Sequence, residues 1–226
     1  MKNACTAIVV AAGSARRMGG IDKAMTEVGG VPMLLRAVRA LAKSERISAI
    51  TVVTREDLLD RVTAMCAAEP KFIGAVTGGS SRAESVLCGL KAVQTPLVAI
   101  HDGARPLVTV PVIDAAVEAA ELCGAAAPAI AVHDTIKIAK NGVVEQTPDR
   151  SALFAVQTPQ VFDTFAIHSA LQAALKQNLP LTDDCSAAEY AGLQVRLTPG
   201  SEENLKITVP SDLVLAEAIL QGRDDL

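Results

Sequence analysis

Apolar positions along this chain fall into two alternating rhythms. Residues 7–11, "AIVVA", form a short continuous run with β-branched members, the pattern of a strand buried on both faces. Leu34, Val38, Leu41 and Ala42 then recur at helical spacing, behind Pro32 at the first helical turn. The alternation continues with strands over 47–54, 72–77, 97–101 and 125–132. Between them the spacing predicts helices over 57–66, 82–92 and 112–122, the last ended by Gly124. Such an alternation argues for an α/β fold with a mostly parallel sheet and helices on both faces.

The rhythm changes at residue 133. "HDTIKIAKNGVVEQT" holds Asn141-Gly142, a type I′ hairpin signal, between two strand-like halves. A lone hairpin is marginal in water and needs a surface to pack on, for which a second subunit is one candidate. Beyond it the pattern predicts helices near 165–177 and 184–190 and a strand over 194–197. A final helix follows Ser211 as its N-cap. No repeat or linker interrupts the chain, so residues 1–226 read as a single domain.

Composition narrows the partners. With 226 residues, 50% of them hydrophobic, the chain can bury one substantial core. A net charge of −4, four Phe, one Tyr and no Trp argue against nucleic acid, which needs cations and stacking platforms. Cys5, Cys66, Cys88, Cys123 and Cys185 are odd in number and widely spread, without a CxxC pair. That disfavours a disulfide framework or zinc site and fits a reducing cytoplasm. No apolar run reaches the ~18 residues of a membrane helix. Lys2 and the apolar residues after it faintly imitate a signal peptide, but they lead straight into the first loop and helix and read as a strand.

Three loops fall at the carboxyl ends of predicted strands, where ligands bind in open α/β sheets. They are "AAGSARRMGGIDK" (11–23), "TGGSSRAES" (77–85) and "HDGARP" (101–106). Their small residues let backbone N–H groups approach a ligand and cradle phosphate. The first is neither a P-loop nor GxGxxG. Arg17 and Lys23 nevertheless set two cations beside it, which in an acidic protein points to a polyanion such as a nucleoside triphosphate, or else to an ordinary solvated loop. Asp102 either holds a metal or ribose or satisfies backbone N–H groups in a turn. His101 and His133 read as neutral packed or exposed imidazoles before catalysts. Thr182 or Asp183 in "TDDCS" reads as a helix cap, and Lys206 in "ENLKITVP" as a charge beside a strand.

Taken in order, "AAGSARRMG", "GGSSRAESV", "HDGARP", "DTIK", "DR" at 149–150, "QTPQVF", "TDDCSAAEY" and "NLKIT" resemble the 2-C-methyl-D-erythritol 4-phosphate cytidylyltransferase family, over residues 5 to 220. The resemblance implies a Rossmann-like, three-layer nucleotidyltransferase fold with a protruding hairpin arm. It implies transfer of CMP from CTP to 2-C-methyl-D-erythritol 4-phosphate with release of pyrophosphate, assisted by Mg2+ or another divalent cation. It implies too that Arg17 and Lys23 stabilise the transition state, and that Arg150 and Lys206 hold the methylerythritol phosphate. Ala11, Ala12, Gly13, Gly79, Ser80 and Ser85 would surround cytosine. Asp102 and Gly103 would lie by the ribose and metal, and Thr135, Arg105, Thr158 and Thr182 would line the second-substrate pocket. Residues 133–148 correspond to the family's dimerisation arm, which implies a homodimer.

One departure concerns the catalytic lysine. The family usually has proline before it and glutamine after it, whereas this chain has Asp22 and Ala24. The loop is thereby less rigid and carries an adjacent negative charge. A sister family acting on ribitol 5-phosphate tends to carry valine before the arginine of the "HD" loop, so Ala104 favours methylerythritol phosphate. A non-catalytic nucleotide-binding homologue would not need Arg17, Lys23, Arg150 and Lys206 together.

Overall fold

A computed structural model describes residues 5–13 and 23–223 of the chain. Strand β1 (Cys5–Val10) is buried almost throughout. Its side chains alternate between two apolar layers: Ala7 and Val9 enter one core and Ile8 the other. A short ribbon, β2 (Glu27–Val28) and β3 (Val31–Pro32), leads into α1 (Met33–Lys43). Next come β4 (Ile47–Thr54), α2 (Leu59–Cys66), β5 (Phe72–Thr77) and α3 (Arg82–Leu90). They are followed by β6 (Leu97–Asp102), α4 (Val110–Cys123) and β7 (Ala125–Ala131).

A separate hairpin of β8 (Ile138–Lys140) and β9 (Val143–Gln146) then stands out from the sheet. Asn141 and Gly142 both have positive φ, 52° and 80°, as its type I′ turn requires. The chain returns through β10 (Phe154–Val156), β11 (Gln160–Asp163), α5 (Thr164–Lys176), α6 (Asp184–Tyr190), β12 (Arg196–Pro199) and α7 (Pro210–Gln221).

The eight-stranded sheet runs β10-β7-β11-β6-β1-β4-β5, with β12 also on β7. Strands β5, β4, β1 and β6 are mutually parallel; β11 is antiparallel to β6 and β7, and β10 to β7. Helices α1, α2 and α4 pack on one face, and α3, α5 and α6 on the other. A smaller core joins Val28, Met33, Leu107 and Ile207 to Ala216 and Leu220 of α7. The α/β reading of the sequence therefore holds, as does its three-layer arrangement. The sheet turns in chain order at β1, whose neighbours are β4 and β6, and this opens a crevice beyond their carboxyl ends.

Two details differ from the sequence reading. The strand expected at 194–197 lies at Arg196–Pro199, in parallel register with β7. The last helix starts earlier than a Ser211 cap implies: Val209 is the N-cap. The Asp212 carboxylate accepts from the N–H of Val209 at 3.0 Å, doing from inside the first turn what a capping serine does from outside.

Candidate active site

The crevice holds a cavity of about 440 Å³, bounded by the three small-residue loops and by the chain leaving β12. Ala11, Ala12 and Gly13 line one part of it, and Gly79, Ser80 and Ser85 another. Arg82, Asp102 and Lys206 supply its charged lining among the described residues, beside Gly103.

Local bonding shapes each wall. The N–H of Ala11 donates to the Val53 carbonyl at 2.7 Å, so the first loop leaves β1 still attached to the sheet. At the second wall, Ser81 and Glu84 form a capping box that starts α3: the Ser81 hydroxyl accepts from the Glu84 N–H at 3.1 Å, and the Glu84 carboxylate from the Ser81 N–H at 3.0 Å. The Ser85 hydroxyl is buried beneath the loop, accepts from the Gly79 N–H at 3.1 Å and donates to the Ser81 carbonyl at 2.8 Å. It holds the loop's shape. At Gly79 an added Cβ would sit 2.4 Å from Cβ of Glu84, so only glycine lets the backbone pass over the helix start.

The "HDGAR" loop is fixed by a buried chain of hydrogen bonds. Nε2 of His101 lies 3.0 Å from the Arg105 carbonyl, which can only accept, so Nε2 carries the proton. Nδ1 therefore accepts from the Thr158 hydroxyl at 3.0 Å, and that oxygen accepts the Asp102 N–H at 3.1 Å. Burial holds the His101 pKa down to about 4, so the ring is neutral and structural.

The electrostatic centre is Asp102. Its carboxylate receives Lys206 Nζ at 2.7 Å and an Arg82 guanidinium nitrogen at 3.3 Å. Burial pushes the Asp102 pKa up, but Arg82 and Lys206 together outweigh it and bring it to about 2. Arg82 also meets Asp184 at 2.7 Å, a carboxylate with 1% of its side chain exposed. Burial raises the Asp184 pKa against the pull of Arg82. The buried glutamines of "QTPQ" hold the surroundings together. The Gln160 side-chain oxygen accepts from the N–H groups of Asp184 and Cys185, and that of Gln157 from the Asn204 side chain and the Ser201 N–H.

Nine of the residues anticipated from sequence thus line one cavity: Ala11, Ala12, Gly13, Gly79, Ser80, Ser85, Asp102, Gly103 and Lys206. Lys23 opens a short 3-10 turn, Lys23–Met25, whose Ala24 also lines it. Arg17 and Asp22 lie outside the described residues. Arg105 and Thr158 stand behind the wall rather than on it; an Arg105 guanidinium nitrogen donates to the Asn204 carbonyl at 2.5 Å. Thr135 is exposed at the base of the hairpin, and Arg150 donates to the His133 carbonyl at 2.7 Å beyond the cavity's edge. The Thr182 hydroxyl bonds Ser186 on the surface, while Asp183 provides the helix cap through the Ser186 N–H at 2.9 Å. Sequence reasoning passed over Arg82 and Asp184. An arginine in the first turn of a helix was the available signal for the first; its partner is 102 positions away in the numbering and no local pattern joins them. Among the described residues no group of three or more His, Cys, Asp and Glu side chains could hold a metal, and no helix is long and apolar enough to cross a membrane.

Comparison with known proteins bears on this cavity. The family model described as "IspD: 2-C-methyl-D-erythritol 4-phosphate cytidylyltransferase" matches residues 5–222. The chain is 42% identical over 221 residues to the 2-C-methyl-D-erythritol 4-phosphate cytidylyltransferase of Geobacillus kaustophilus, covering 96% of this chain and 97% of that one. It is 39% identical over 229 residues to the protein of that name from Syntrophotalea carbinolica, with the same coverage. Among solved structures it resembles 4-diphosphocytidyl-2C-methyl-D-erythritol synthase from Anaerococcus prevotii, with a TM-score of 0.87 and 30% identity over 98% of this chain and 100% of that one. The 2-C-methyl-D-erythritol 4-phosphate cytidylyltransferase of Thermus thermophilus gives a TM-score of 0.77 and 32% identity over 95% and 98% of the two chains.

Proposed function

This chain belongs to the 2-C-methyl-D-erythritol 4-phosphate cytidylyltransferase family of CTP-dependent nucleotidyltransferases in isoprenoid biosynthesis, and from that premise we propose how its own residues carry out the transfer. The observation that carries the proposal is the meeting of two exposed-backbone loops, 11–13 and 79–80, with Asp102 and Lys206 in one cavity. The loops read cytosine through backbone groups, so a base with the wrong donor pattern leaves a buried group unpaired.

A phosphate oxygen of methylerythritol phosphate attacks the α-phosphorus of CTP in line. The bond to the bridging oxygen breaks, and pyrophosphate leaves with the electron pair. The protein's work is positioning and charge stabilisation. Arg17 and Lys23 balance the charge that builds on the transferring and departing phosphates. Arg150 meets the sugar phosphate with a planar fork and Lys206 with a point charge. Asp102 is the one carboxylate on the cavity wall among the described residues, which fits Mg2+ bound by one or two carboxylates and substrate phosphates rather than by a protein cage. Bound there, the ion would neutralise phosphate charge.

The protein acts as a homodimer in this reading. Ile136, Ile138, Val143 and Val144 are exposed on the hairpin, and Thr135 and Arg150 flank it at its base. Packing on a twin covers the apolar side chains and brings Thr135 to a neighbouring cavity. All five cysteines are free, which supports the reducing cytoplasm.

The test is pyrophosphate release across a panel of nucleotides and sugar phosphates. CTP with methylerythritol phosphate is expected to exceed UTP with the same acceptor, and ribitol 5-phosphate with CTP, in kcat/KM. Equal values with ribitol 5-phosphate would reassign the second substrate, and equal values with UTP would remove the backbone-reading account.

A further inference from the structure

A second cavity, of about 400 Å³, lies between α1 and the start of α4 and takes no part in the reaction described above. Its polar lining is cationic: Arg36, Arg39, Lys43 and Arg223 border it, and no acidic side chain among the described residues does. The first three stand at i, i+3 and i+7 along α1, so one helix face presents three like charges to the same space, an arrangement that costs helix stability through repulsion. Helix α1 contains no acidic residue to relieve it. Carboxylates reach two of the four cations from outside the cavity. Glu69 pairs with Arg39 at 2.8 Å, and Glu203 with Arg223 at 2.7 Å. The Arg36 guanidinium donates to the carbonyls of Val28 and Gly29, which hold it in place without cancelling its charge. Lys43 is exposed and has no partner among the described residues.

The remaining walls are apolar and partly helical. Pro106, Leu107, Val108 and Pro111 supply them, and α4 starts here with a Thr109 side chain that caps none of its first-turn N–H groups. A concave space of this size, apolar on one side and with two uncancelled cations on the other, matches a small organic molecule bearing phosphate. The two cavities share supports. Met33 lines the catalytic one and Arg36, a turn later on α1, the second. Arg223 donates to the Leu107 carbonyl at 2.9 Å, and Leu107 packs in one apolar cluster with Met33 and Ile207 of the catalytic wall.

We propose that the cavity between α1 and the start of α4 is a second anion site, which takes a phosphorylated small molecule. Pyrophosphate is a suitable probe, titrated calorimetrically into the full chain at about 0.15 M salt, where the screening length is about 8 Å and loose surface attraction is suppressed. Two sites per chain are expected, one in each cavity. Arg39→Gln with Lys43→Gln removes two charges from an exposed helix face, and is expected to weaken one site at least tenfold while leaving the other, and turnover, unchanged. Lys43→Gln alone, at the exposed last turn of α1, is expected to weaken the same site and guards against misfolding of the double variant. Asp224→Asn with Asp225→Asn in the full chain is expected to retain both sites. A single site in the wild-type chain, or two sites of unchanged affinity in the Lys43→Gln variant, would overturn the proposal.

Discussion

Lys206 Nζ rests 2.7 Å from an oxygen of Asp102, across the mouth of the catalytic cavity. The lysine and the carboxylate form a close ion pair. In the proposed reaction the lysine turns to the sugar phosphate, and Asp102 would be free to help hold a divalent cation, which would neutralise phosphate charge. Arg82 stays on the opposite side of the carboxylate and keeps it ionised throughout.

That pairing has a measurable pH signature. The folded pKa of Asp102 is depressed to about 2, below the ordinary value of about 3.9. Its stabilising contribution is thus present above the ordinary value and lost as pH falls through the folded one. Lys206→Ala removes one of the two cations, so the Asp102 midpoint is expected to rise and acid unfolding to begin at higher pH. Carbon-13 NMR titration of the carboxylates reads it directly. An unmoved midpoint would mean that Arg82 alone sets the charge state.

The Arg82–Asp184 pair also bears on stability. Asp184 is wholly buried, and removing its cation leaves a charge without compensation. Arg82→Met is expected to cost about 3–5 kcal/mol, the range for breaking a buried pair. Replacing Asp184 by Leu in the same chain is expected to recover much of that. Urea unfolding of the two variants decides the point, and a double variant no more stable than the single one contradicts it.

Arg17 and Lys23 carry the charge stabilisation in the proposed reaction. Alanine at either position is expected to lower kcat roughly 10²–10³-fold, the scale for losing one preorganised donor to developing charge. Melting temperature is expected to stay put. Turnover within threefold of wild type in either variant would remove that residue from the chemistry.

The hairpin supplies a test at the scale of the assembly. Deleting residues 136–145 behind a short glycine link is expected to give a monomer with little activity and an intact sheet, since β8 and β9 pair only with each other. Sedimentation and turnover are measured together. A wild-type chain that is an active monomer at micromolar concentration would end the homodimer reading.

Much of the parallel half of the sheet was legible in the sequence. Ile47–Thr54 and Phe72–Thr77 appear with the expected bounds, because both are rich in apolar and β-branched residues, although the first is mostly buried and the second forms the edge of the sheet. Strand β11 was not legible. Its four residues follow a proline, and their burial depends on antiparallel partners far away in sequence, β6 and β7. The loops of the site were visible because small residues at strand ends are a local feature. The Arg82–Asp102–Asp184 arrangement was not: Asp102 stood out as a site or turn residue, but nothing local ties it to Arg82 or Asp184. What gives them meaning is burial, which only the assembled fold supplies.

The return of the chain through β12 also sets an order of assembly. Strand β12 lies parallel on β7, and the segment after it is stitched down where Asn204 bonds the Thr158 carbonyl and the Ile207 N–H bonds the Ala104 carbonyl. Lys206 sits between those two stitches. A nascent chain emerging from the ribosome thus completes both glycine-rich loops and Asp102 long before the lysine that faces them. Until residues 204–207 have been made and docked, Asp102 has Arg82 but not Lys206, and the cavity lacks the cation proposed to meet the sugar phosphate.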